Sequence, residues 1–352
     1  MHARVEPLAE AWDELADRTN APPFLRPGWV DAWCGAFGRR SLEIVALQRN
    51  GRLAGVVPVQ ARRGVLSSPT NWHTIKFGLL AEDPGARREL ARVLLSHRSR
   101  RVSLAFLGVD DDDVAVCTAA AQATNRRLLW RPLERSPYVR TNGSWELYLR
   151  GRDRALLKGT RRRLRRLGEL GSLAFTVEDG RSGLHELLAE GFRLEAAGWK
   201  GEQGTAVLSR PETHLFYTRL AEWAAERGWL RLAFLRLDGR PIAFEYMLEH
   251  DGALYDLKGG YDPEYARFSP GILITYQILE AAFAQGLERY EFLGSAERYK
   301  LSWADASRGR VVLHAWSRSS AATIDRTLLV HGRPLLKRLG FVRARAAAQR
   351  PH

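Results

Sequence analysis

Cysteine is nearly absent from this 352-residue chain, which contains only Cys34 and Cys117. The two residues lie far apart in the sequence and form no C-x-x-C or similar spacing, which excludes a cysteine motif for metal binding or redox chemistry. The nine histidines show no close ligand spacing either, and we predict that the protein holds no metal. We expect both cysteines to be reduced, buried thiols in a cytoplasmic protein.

Long apolar runs are also missing from the sequence. No segment approaches the roughly 18 apolar residues of a membrane-spanning helix. The N-terminal stretch MHARVEPLAEAWDEL lacks the apolar region of a signal peptide. The chain nevertheless has 45% hydrophobic residues and 11 tryptophans, which is typical of a protein with a folded core. Its length suits two domains of ordinary size or one large domain.

Lysine is scarce: the chain has six lysines and 48 arginines, with a formal net charge of +14. Two segments supply most of this charge. Residues 150–166 carry nine basic side chains and one aspartate, and residues 326–352 carry seven basic side chains and no acid. Concentrated positive charge favours contact with phosphates, whether of a nucleotide, a tRNA or a membrane surface. A genome-wide preference for arginine codons would also produce such runs.

Two segments of the chain have the same pattern. LEIVALQRNGRLAGVVPV (42–59) and LRLAFLRLDGRPIAFEYM (230–247) both alternate in hydrophobicity around an Asn-Gly or Asp-Gly pair, the strongest short-range signal of a β-hairpin. An aromatic-rich helical segment precedes each of them. We interpret the pair as an internal duplication that gives two α/β lobes, and the alternative is two unrelated hairpins.

The segment between the two lobes predicts a helical connector with a charged surface. Its leucines recur at near-helical spacing and its arginines occupy the other faces, which indicates an amphipathic helix or helical pair with one cationic face. Arg161, Arg162 and Arg165 are the candidates for contact with a phosphate or nucleic acid. The resulting boundaries are an N-terminal lobe (1–149), the connector (150–170), a C-terminal lobe (171–317) and a basic helical tail (318–352).

The stretch GGYDPEYARFSPGILITYQILEAA (259–282) moves from an aromatic strand end through a Gly/Pro-rich turn into a long apolar helix. A helix start offers unpaired N–H groups and a positive dipole end, so it can hold a phosphate. Pro270 suits the first turn, and Gly271 lets a ligand approach the backbone. The plainer interpretation is a tight turn into a buried helix.

The segments around this turn follow a known order. A hairpin, a strand, the turn, a helix and the strand LERYEFLG succeed one another, which is the core order of an acyltransferase fold that binds CoA between splayed strands. The first lobe keeps the hairpin but has nothing like the turn. We therefore expect the second lobe to be catalytic and the first lobe to be structural.

Three motifs, GWKGEQGTA (198–206), YDPEYARFSPG (261–271) and FLGSAERYKLSW (292–303), resemble the GNAT-type acyltransferases of the cellulose-biosynthesis-associated (CelD/BcsL) group. These are relatives of the Fem-type peptidyltransferases, and the resemblance covers roughly residues 20–315. It implies an α/β (α+β) fold of two tandem GNAT-like lobes, each a mixed, largely antiparallel sheet flanked by helices. It also implies an acyl-CoA or aminoacyl-tRNA donor.

The resemblance assigns roles to particular residues. Tyr299-Lys300 matches an aromatic-lysine pair that faces the reacting carbonyl in Fem-type enzymes. The turn occupies the place where GNAT enzymes hold the CoA pyrophosphate, but Arg267 and Gly271 are four apart and no second glycine follows, which keeps a tRNA donor open. The expected donor contacts are Arg267, Phe268, Ser269, Gly271 and Ile272.

Further candidates come from residue type and position. Lys200, Lys258 and Lys300 lie in or beside the motifs, and a lysine in an arginine-rich chain suggests a need for a compact ammonium. Glu245 and Asp256 fall in apolar strand segments, so they either face solvent by alternation or are placed in a cleft as proton acceptors. Tyr261 and Tyr299 are candidates to protonate the leaving group. The expected substrate contacts are Trp199, Lys200, Lys258 and Trp303.

The sequence therefore predicts an N-acyltransferase in which an amine attacks acyl-CoA directly. No G-x-S-x-G elbow and no Cys/His arrangement indicates a covalent intermediate. One alternative is an aminoacyl-tRNA-dependent, Fem-like transferase that holds the tRNA on the connector. A second alternative is a non-catalytic protein with a decayed acyltransferase fold that binds RNA or a membrane surface. The acceptor is a small molecule or a peptide with an amine.

Overall fold

A computed structural model describes residues 5–38, 41–74 and 76–332, with the side chain of Trp199 excepted. Its strands are β1 (Leu42–Arg49), β2 (Arg52–Arg62), β3 (Val65–Ser67), β4 (Leu80–Ala81), β5 (Arg101–Gly108), β6 (Arg127–Arg140), β7 (Leu173–Glu178), β8 (Leu230–Leu237), β9 (Arg240–His250), β10 (Ala253–Tyr261), β11 (Arg289–Glu291) and β12 (Ala306–Trp316).

The helices flank these strands. They are α1 (Ala9–Arg18), α2 (Pro27–Phe37), α3 (Pro84–Ser96), α4 (Asp112–Ala123), α5 (Trp145–Arg150), α6 (Arg154–Gly168), α7 (Leu184–Ala197), α8 (Trp199–Glu202), α9 (Pro211–Glu226), α10 (Pro270–Ala284), α11 (Arg298–Trp303) and α12 (Ser320–Thr327). Of the tail that the sequence predicts to be helical, α12 lies within the described part, and residues 333–352 lie outside it.

The two halves of the chain share one twelve-stranded sheet. The strand order is β1-β2-β3-β5-β12-β6-β11-β10-β9-β8-β7, and β4 pairs with β2 beside this path. Most neighbours are antiparallel, while β3–β5 and β10–β11 are parallel. The predicted class, a mixed and largely antiparallel α/β fold flanked by helices, is confirmed.

Both predicted hairpins are present. Asn50-Gly51 and Asp238-Gly239 form two-residue turns in which all four residues have positive φ, between 48° and 81°, as the tight connection of β1–β2 and β8–β9 requires. Helices α2 and α9 precede the two hairpins as predicted. They pack against each other across a shared hydrophobic core that also takes side chains from β8, β9 and β10.

Strand β12 lies within the residues predicted as the C-terminal lobe (171–317) but pairs with β5 and β6 of the first lobe. It lies between β5 and β6 and is antiparallel to both. Leu313, Ala315 and Trp316 on this strand are fully buried. The C-terminal strand therefore completes the sheet of the first lobe.

The connector (150–170) forms the single helix α6, and α5 ends at its first residue. Leu156, Leu157 and Leu164 pack on the second hydrophobic core, and Leu167 is fully buried, so the apolar face of α6 is the one that the leucine spacing predicts. Leu170, which the same spacing places on this face, is instead 51% exposed. Its position lies two residues beyond the end of α6, where the helical periodicity no longer applies.

Candidate active site

The neighbouring strands β10 and β11 separate soon after they begin. They pair in parallel over only three residues each, 253–255 with 289–291. Beyond Tyr255, β10 continues to Tyr261 with its β11-facing edge open, while its other edge stays paired with β9. The register with β9 shifts between Asp256 and Lys258, and such a bulge re-aims the side chains that follow it. The site is built around this open edge.

Two acidic side chains meet on one face of the sheet. Glu245 on β9 and Asp256 on β10 hydrogen-bond to each other, and burial raises the pKa of both carboxyls. The hydrogen bond raises the pKa of Glu245 and lowers that of Asp256, and two carboxyls in such contact titrate as a pair. A Cβ at Gly259 would lie 1.8 Å from Glu245 Oε2, so only glycine admits this carboxyl.

Lys300 on α11 supplies a positive charge to this face. Its side chain is buried, Nζ donates to the carbonyl of Leu293 at 3.4 Å, and the ammonium lies 5.7 Å from the centroid of the Tyr299 ring. The charge of Lys300 lowers the pKa of both Asp256 and Glu245. Leu293 itself has φ 52°, a strained conformation for a bulky residue, and it fixes the turn that carries its carbonyl to Lys300.

A buried tyrosine lies beside the acidic pair. Tyr290 is fully buried, and its hydroxyl has no hydrogen-bond partner of good geometry among the described residues. The hydroxyl nevertheless lies close enough to Asp256 to lower the pKa of that carboxyl. The sequence prediction did not include Tyr290. Its position at the strand end in LERYEFLG was the available signal.

A second charged group surrounds a carboxylate of helix α7. Glu195 on α7 has a fully buried side chain, and the ammoniums of Lys200 and Lys258 lie 3.8 and 3.7 Å from its Oε1. Glu195 Oε2 accepts the N–H of Val207 at 2.7 Å, and Lys200 Nζ donates to the Gly259 carbonyl at 2.5 Å. Burial lowers the pKa of Lys258 to about 8, although Glu195 opposes this shift. Sequence reasoning missed Glu195, which sits inside a helix without any motif.

The first lobe reaches this second group through a loop after β3. His73 stacks on Phe37 and its Nδ1 lies 3.2 Å from the hydroxyl of Tyr217. Burial, followed by the charges of Lys258 and Arg210, lowers the pKa of His73 to about 3. A neutral imidazole from the first lobe therefore lies beside Tyr217 and near Lys258, which the sequence alone did not predict.

The turn after β10 leads into α10 as expected. Pro270 is the first residue of the helix, and Ser269 adopts a left-handed conformation (φ 53°) without a side-chain cap on the helix. Arg267 is exposed and lies over the Phe268 ring, while Ile272 is half-buried. A Cβ at Gly271 would lie 3.6 Å from the Tyr261 ring. Tyr261 and the predicted donor contacts are thus close neighbours at this helix start.

The corresponding helix start of the first lobe is capped by a carboxylate. Helix α3 also follows a strand, but its N-cap is Asp83, whose Oδ1 accepts the N–H of Ala86 at 2.7 Å. This hydrogen bond lowers the pKa of Asp83, and Arg49 lies 3.1 Å from the carboxylate. A carboxylate at the N-cap repels phosphate and occupies the N–H groups that a phosphate would need.

The predicted substrate contacts include two tryptophans, Trp303 and Trp199. Trp303 is fully buried in the core beside Tyr276, where its side chain stabilises the fold. Its contact with substrate stays a prediction. The side chain of Trp199 lies outside the described part of the chain, so its predicted role stays a prediction.

The basic face of α6 is on the surface. Arg161, Arg162 and Arg165 are exposed, and Arg165 makes an i,i+4 pair with Glu169 at 3.6 Å. Among the described residues, no cluster of three or more His, Cys, Asp or Glu side chains could hold a metal ion. No helix within the same residues is both long and apolar enough to span a bilayer.

Comparison with known proteins gives the second half of the chain a family match. Residues 154–301 match the family model described as an acetyltransferase (GNAT) domain. This segment contains the connector helix α6, the open edge of β10 and Lys300. No curated protein sequence matches the chain.

Solved structures of similar fold cover most of the chain. The C-terminal domain of a candidate lysylphosphatidylglycerol synthetase from Agrobacterium fabrum has a TM-score of 0.58 at 14% identity, over 93% of this chain and 98% of that one. FemX has a TM-score of 0.55 at 12% identity, over 96% and 99%. The L-PGS structure from Bacillus licheniformis has a TM-score of 0.54 at 12% identity, over 84% and 93%. The chain therefore has a GNAT acyltransferase fold.

Proposed function

We propose that this protein is an N-acyltransferase that moves an acyl group from acyl-CoA to an amine by direct attack, in the manner of the CelD/BcsL group. The observation that carries the proposal is the open edge of β10. The carboxyl pair and the buried ammonium of Lys300 lie beside this edge, and the helix start without a side-chain cap follows β10, which supports the proposal. These are the groups that amide formation from a thioester needs.

The carboxyl pair has the role of proton acceptor. An amine attacks only when it is uncharged, so its ammonium first loses a proton. Asp256 carries the negative charge of the pair, since Lys300 and the bond from Glu245 both lower its pKa. Asp256 therefore takes the proton, and Glu245 keeps the second carboxyl neutral beside it.

Lys300 and the tyrosines act on the acyl carbonyl and on the leaving thiolate. As nitrogen attacks, the carbonyl oxygen becomes anionic, and the fixed ammonium of Lys300 stabilises it. The C–S bond then breaks, the thiolate of CoA takes up a proton from Tyr261 or Tyr299, and the tyrosine regains a proton from the nitrogen that has formed the amide. Tyr261 lies beside Gly271, and Tyr299 lies beside Lys300.

The donor phosphates are assigned to the start of α10. Ser269 leaves the first N–H groups of this helix without a side-chain cap, and Arg267 is exposed directly before it. Backbone N–H groups and the helix dipole favour a bound phosphate there. The first lobe binds no donor, because Asp83 occupies its corresponding helix start.

Calorimetry with acetyl-CoA tests this assignment. We expect one binding site per chain, and we expect Arg267→Ala combined with Ser269→Ala to weaken binding by about 1–3 kcal/mol, as for lost charge-assisted hydrogen bonds. Arg49→Ala, which removes a cation beside the capped helix start of the first lobe, is the matched control and should bind normally. Unchanged affinity of the double variant, or two equal sites, would contradict the assignment.

A second candidate function uses aminoacyl-tRNA as donor. The exposed arginines of α6 favour it, and so does the resemblance of the Tyr299-Lys300 pair to Fem-type enzymes. Thermal shift with acetyl-CoA and with bulk tRNA across a salt series separates the candidates. Stabilisation by tRNA that falls steeply with salt, without any effect of CoA, would favour tRNA as donor or a non-catalytic nucleic-acid-binding protein.

A further inference from the structure

The charged group around Glu195 has more positive charge than its own carboxylate needs. Glu195 has a fully buried side chain, and both Lys200 and Lys258 lie within 3.8 Å of its Oε1. One ammonium would neutralise a buried carboxylate. A second ammonium that shares this carboxylate lowers the stability of the fold, since a buried charge without a counter-charge of its own is destabilising.

The geometry between Lys258 and Glu195 leaves hydrogen-bonding capacity unused. The Nζ–Oε1 distance of 3.7 Å is beyond hydrogen-bond length, and Glu195 Oε1 accepts no hydrogen bond within the described residues. The Tyr217 ring also lies near this ammonium, with its centroid 5.7 Å away. A largely buried ammonium with N–H donors still available is suited to an anionic ligand.

The surrounding charges point to the same ligand. Lys200, Lys258 and Lys300 carry three positive charges, while Glu195 and the carboxyl pair carry two negative charges when the pair shares a proton. His73 is neutral, since its pKa is lowered to about 3. Arg210, close enough to lower that pKa, is exposed and adds a further cation. The acceptor side of the cleft is therefore net positive.

The two charged groups lie on either side of one residue. Lys200 Nζ donates to the carbonyl of Gly259, and Glu245 Oε2 lies against the Cα of the same glycine. A small molecule that places an anion at the lysines can therefore place its amine near the carboxyl pair. Because both contacts are to Gly259, an anion at the lysines and an amine at the carboxyl pair would be only a few bonds apart.

We propose that Lys258 and Lys200 bind an oxyanion of the acceptor, a carboxylate or a phosphate, attached within a few bonds of the amine that is acylated. This inference rests on the proposed acyl transfer and adds the class of acceptor. Lys258 is then a specificity-determining residue. Glu195 positions both ammoniums and prevents them from binding anions indiscriminately.

Two matched pairs of amines test the proposal: glycine with glycinamide, and O-phosphoethanolamine with ethanolamine. Release of CoA from acetyl-CoA gives kcat/KM for each. We expect the anionic member of at least one pair to be preferred, and the pair that shows the preference identifies carboxylate or phosphate. Lys258→Met should lower kcat/KM for the preferred anionic amine by about 10- to 100-fold relative to its uncharged partner, mostly through KM.

Two further variants keep this test decisive. Lys258→Arg retains the charge and should retain much of the preference, whereas Arg181→Met removes an exposed cation that pairs with Asp179 on the surface and should change nothing. Preference for the uncharged amines, or an equal loss for both members of a pair in Lys258→Met, would overturn the anionic subsite while leaving acyl transfer intact.

Absence of turnover with all four amines would instead count against acyl transfer to small amines. Calorimetry with glycine and O-phosphoethanolamine on the CoA-saturated protein then decides the subsite separately. Binding that Lys258→Met abolishes would support it, and no binding of either compound would overturn it.

Discussion

Lys300 is held in place by the chain's own backbone. Its ammonium donates to the Leu293 carbonyl, and a Cβ at Gly294 would lie 3.2 Å from Nζ. A donor fixed in this way needs no reorganisation when negative charge develops on the acyl oxygen, and loss of one such donor typically costs about 10²–10³ in kcat.

We therefore expect Lys300→Met to lose turnover by about this factor while it binds acetyl-CoA normally. Lys300→Arg should recover only part of the rate, because the guanidinium is larger and planar. The measurements are kcat, once an acceptor is identified, and the Kd of acetyl-CoA for both variants. Near-normal turnover of Lys300→Met would assign the residue a structural role.

Glu245 gives a prediction about stability and pH. Burial raises the pKa of this carboxyl well above its usual value, so the folded protein keeps a proton that the unfolded chain loses near pH 4–5. The stability from the protonated group is fully present below the unfolded pKa and is lost as the pH rises through the folded pKa. Glu245→Gln keeps a neutral side chain at every pH.

We expect the melting temperature of Glu245→Gln, relative to the parent protein, to rise between pH 5 and pH 8 by about 2 °C or more, the shift that roughly 1 kcal/mol produces. Catalysis should fall in the same variant, because an amide cannot share a proton with Asp256. Glu249→Gln on the same strand pairs with Arg231 near the surface and is the control. A pH-independent difference in melting temperature would contradict the proton-sharing pair.

At the scale of single elements, α6 combines an apolar face in the core with a charged face in solvent. The leucines supply its packing, whereas Arg161, Arg162 and Arg165 make no buried contact. The exposed pair of Arg165 with Glu169 contributes little, since surface ion pairs are worth about 0–1 kcal/mol. Charge and stability are therefore separable on this helix.

Reversing these three arginines to glutamate should leave the melting temperature nearly unchanged and abolish any binding of tRNA or anionic vesicles. Filter binding and vesicle sedimentation measure the second effect, and thermal unfolding measures the first. The single change Arg165→Glu controls for the loss of the pair with Glu169. Unfolding of the triple variant would show that these arginines hold the lobes together.

At the scale of the whole molecule, the two lobes depend on one strand. Without β12, strands β5 and β6 would have no partner on their facing edges, and the side chains that pack around Leu313 and Trp316 would be exposed. Unpaired strand edges and exposed apolar surface destabilise a sheet and promote aggregation.

We expect a fragment of residues 5–150 to lack cooperative unfolding, measured by circular dichroism on heating. Joining residues 305–332 to it through a flexible linker should restore a transition, because β12 would again fill the gap. Cooperative unfolding of the fragment alone would contradict this account of the sheet.

The sequence by itself determined the local features. Asn50-Gly51 and Asp238-Gly239 allow the left-handed backbone of a hairpin turn, Pro270 starts a helix, and the leucines of α6 repeat with its period. Each of these signals depends on neighbouring residues, so the hairpins, α10 and α6 could be predicted without the fold. The lysines of the site could be predicted in the same way, because they lie in or beside the recognised motifs.

Only the tertiary structure decided which distant groups meet. Glu195, Tyr290 and His73 lie on α7, β11 and a loop of the first lobe, and no local pattern shows that they lie near one another. Trp303 stands in a motif, yet it packs in the core. Whether Glu245 faced solvent or its partner Asp256 depended on strand pairing, because hydrophobic alternation fixes the two faces of a strand but not what covers each face.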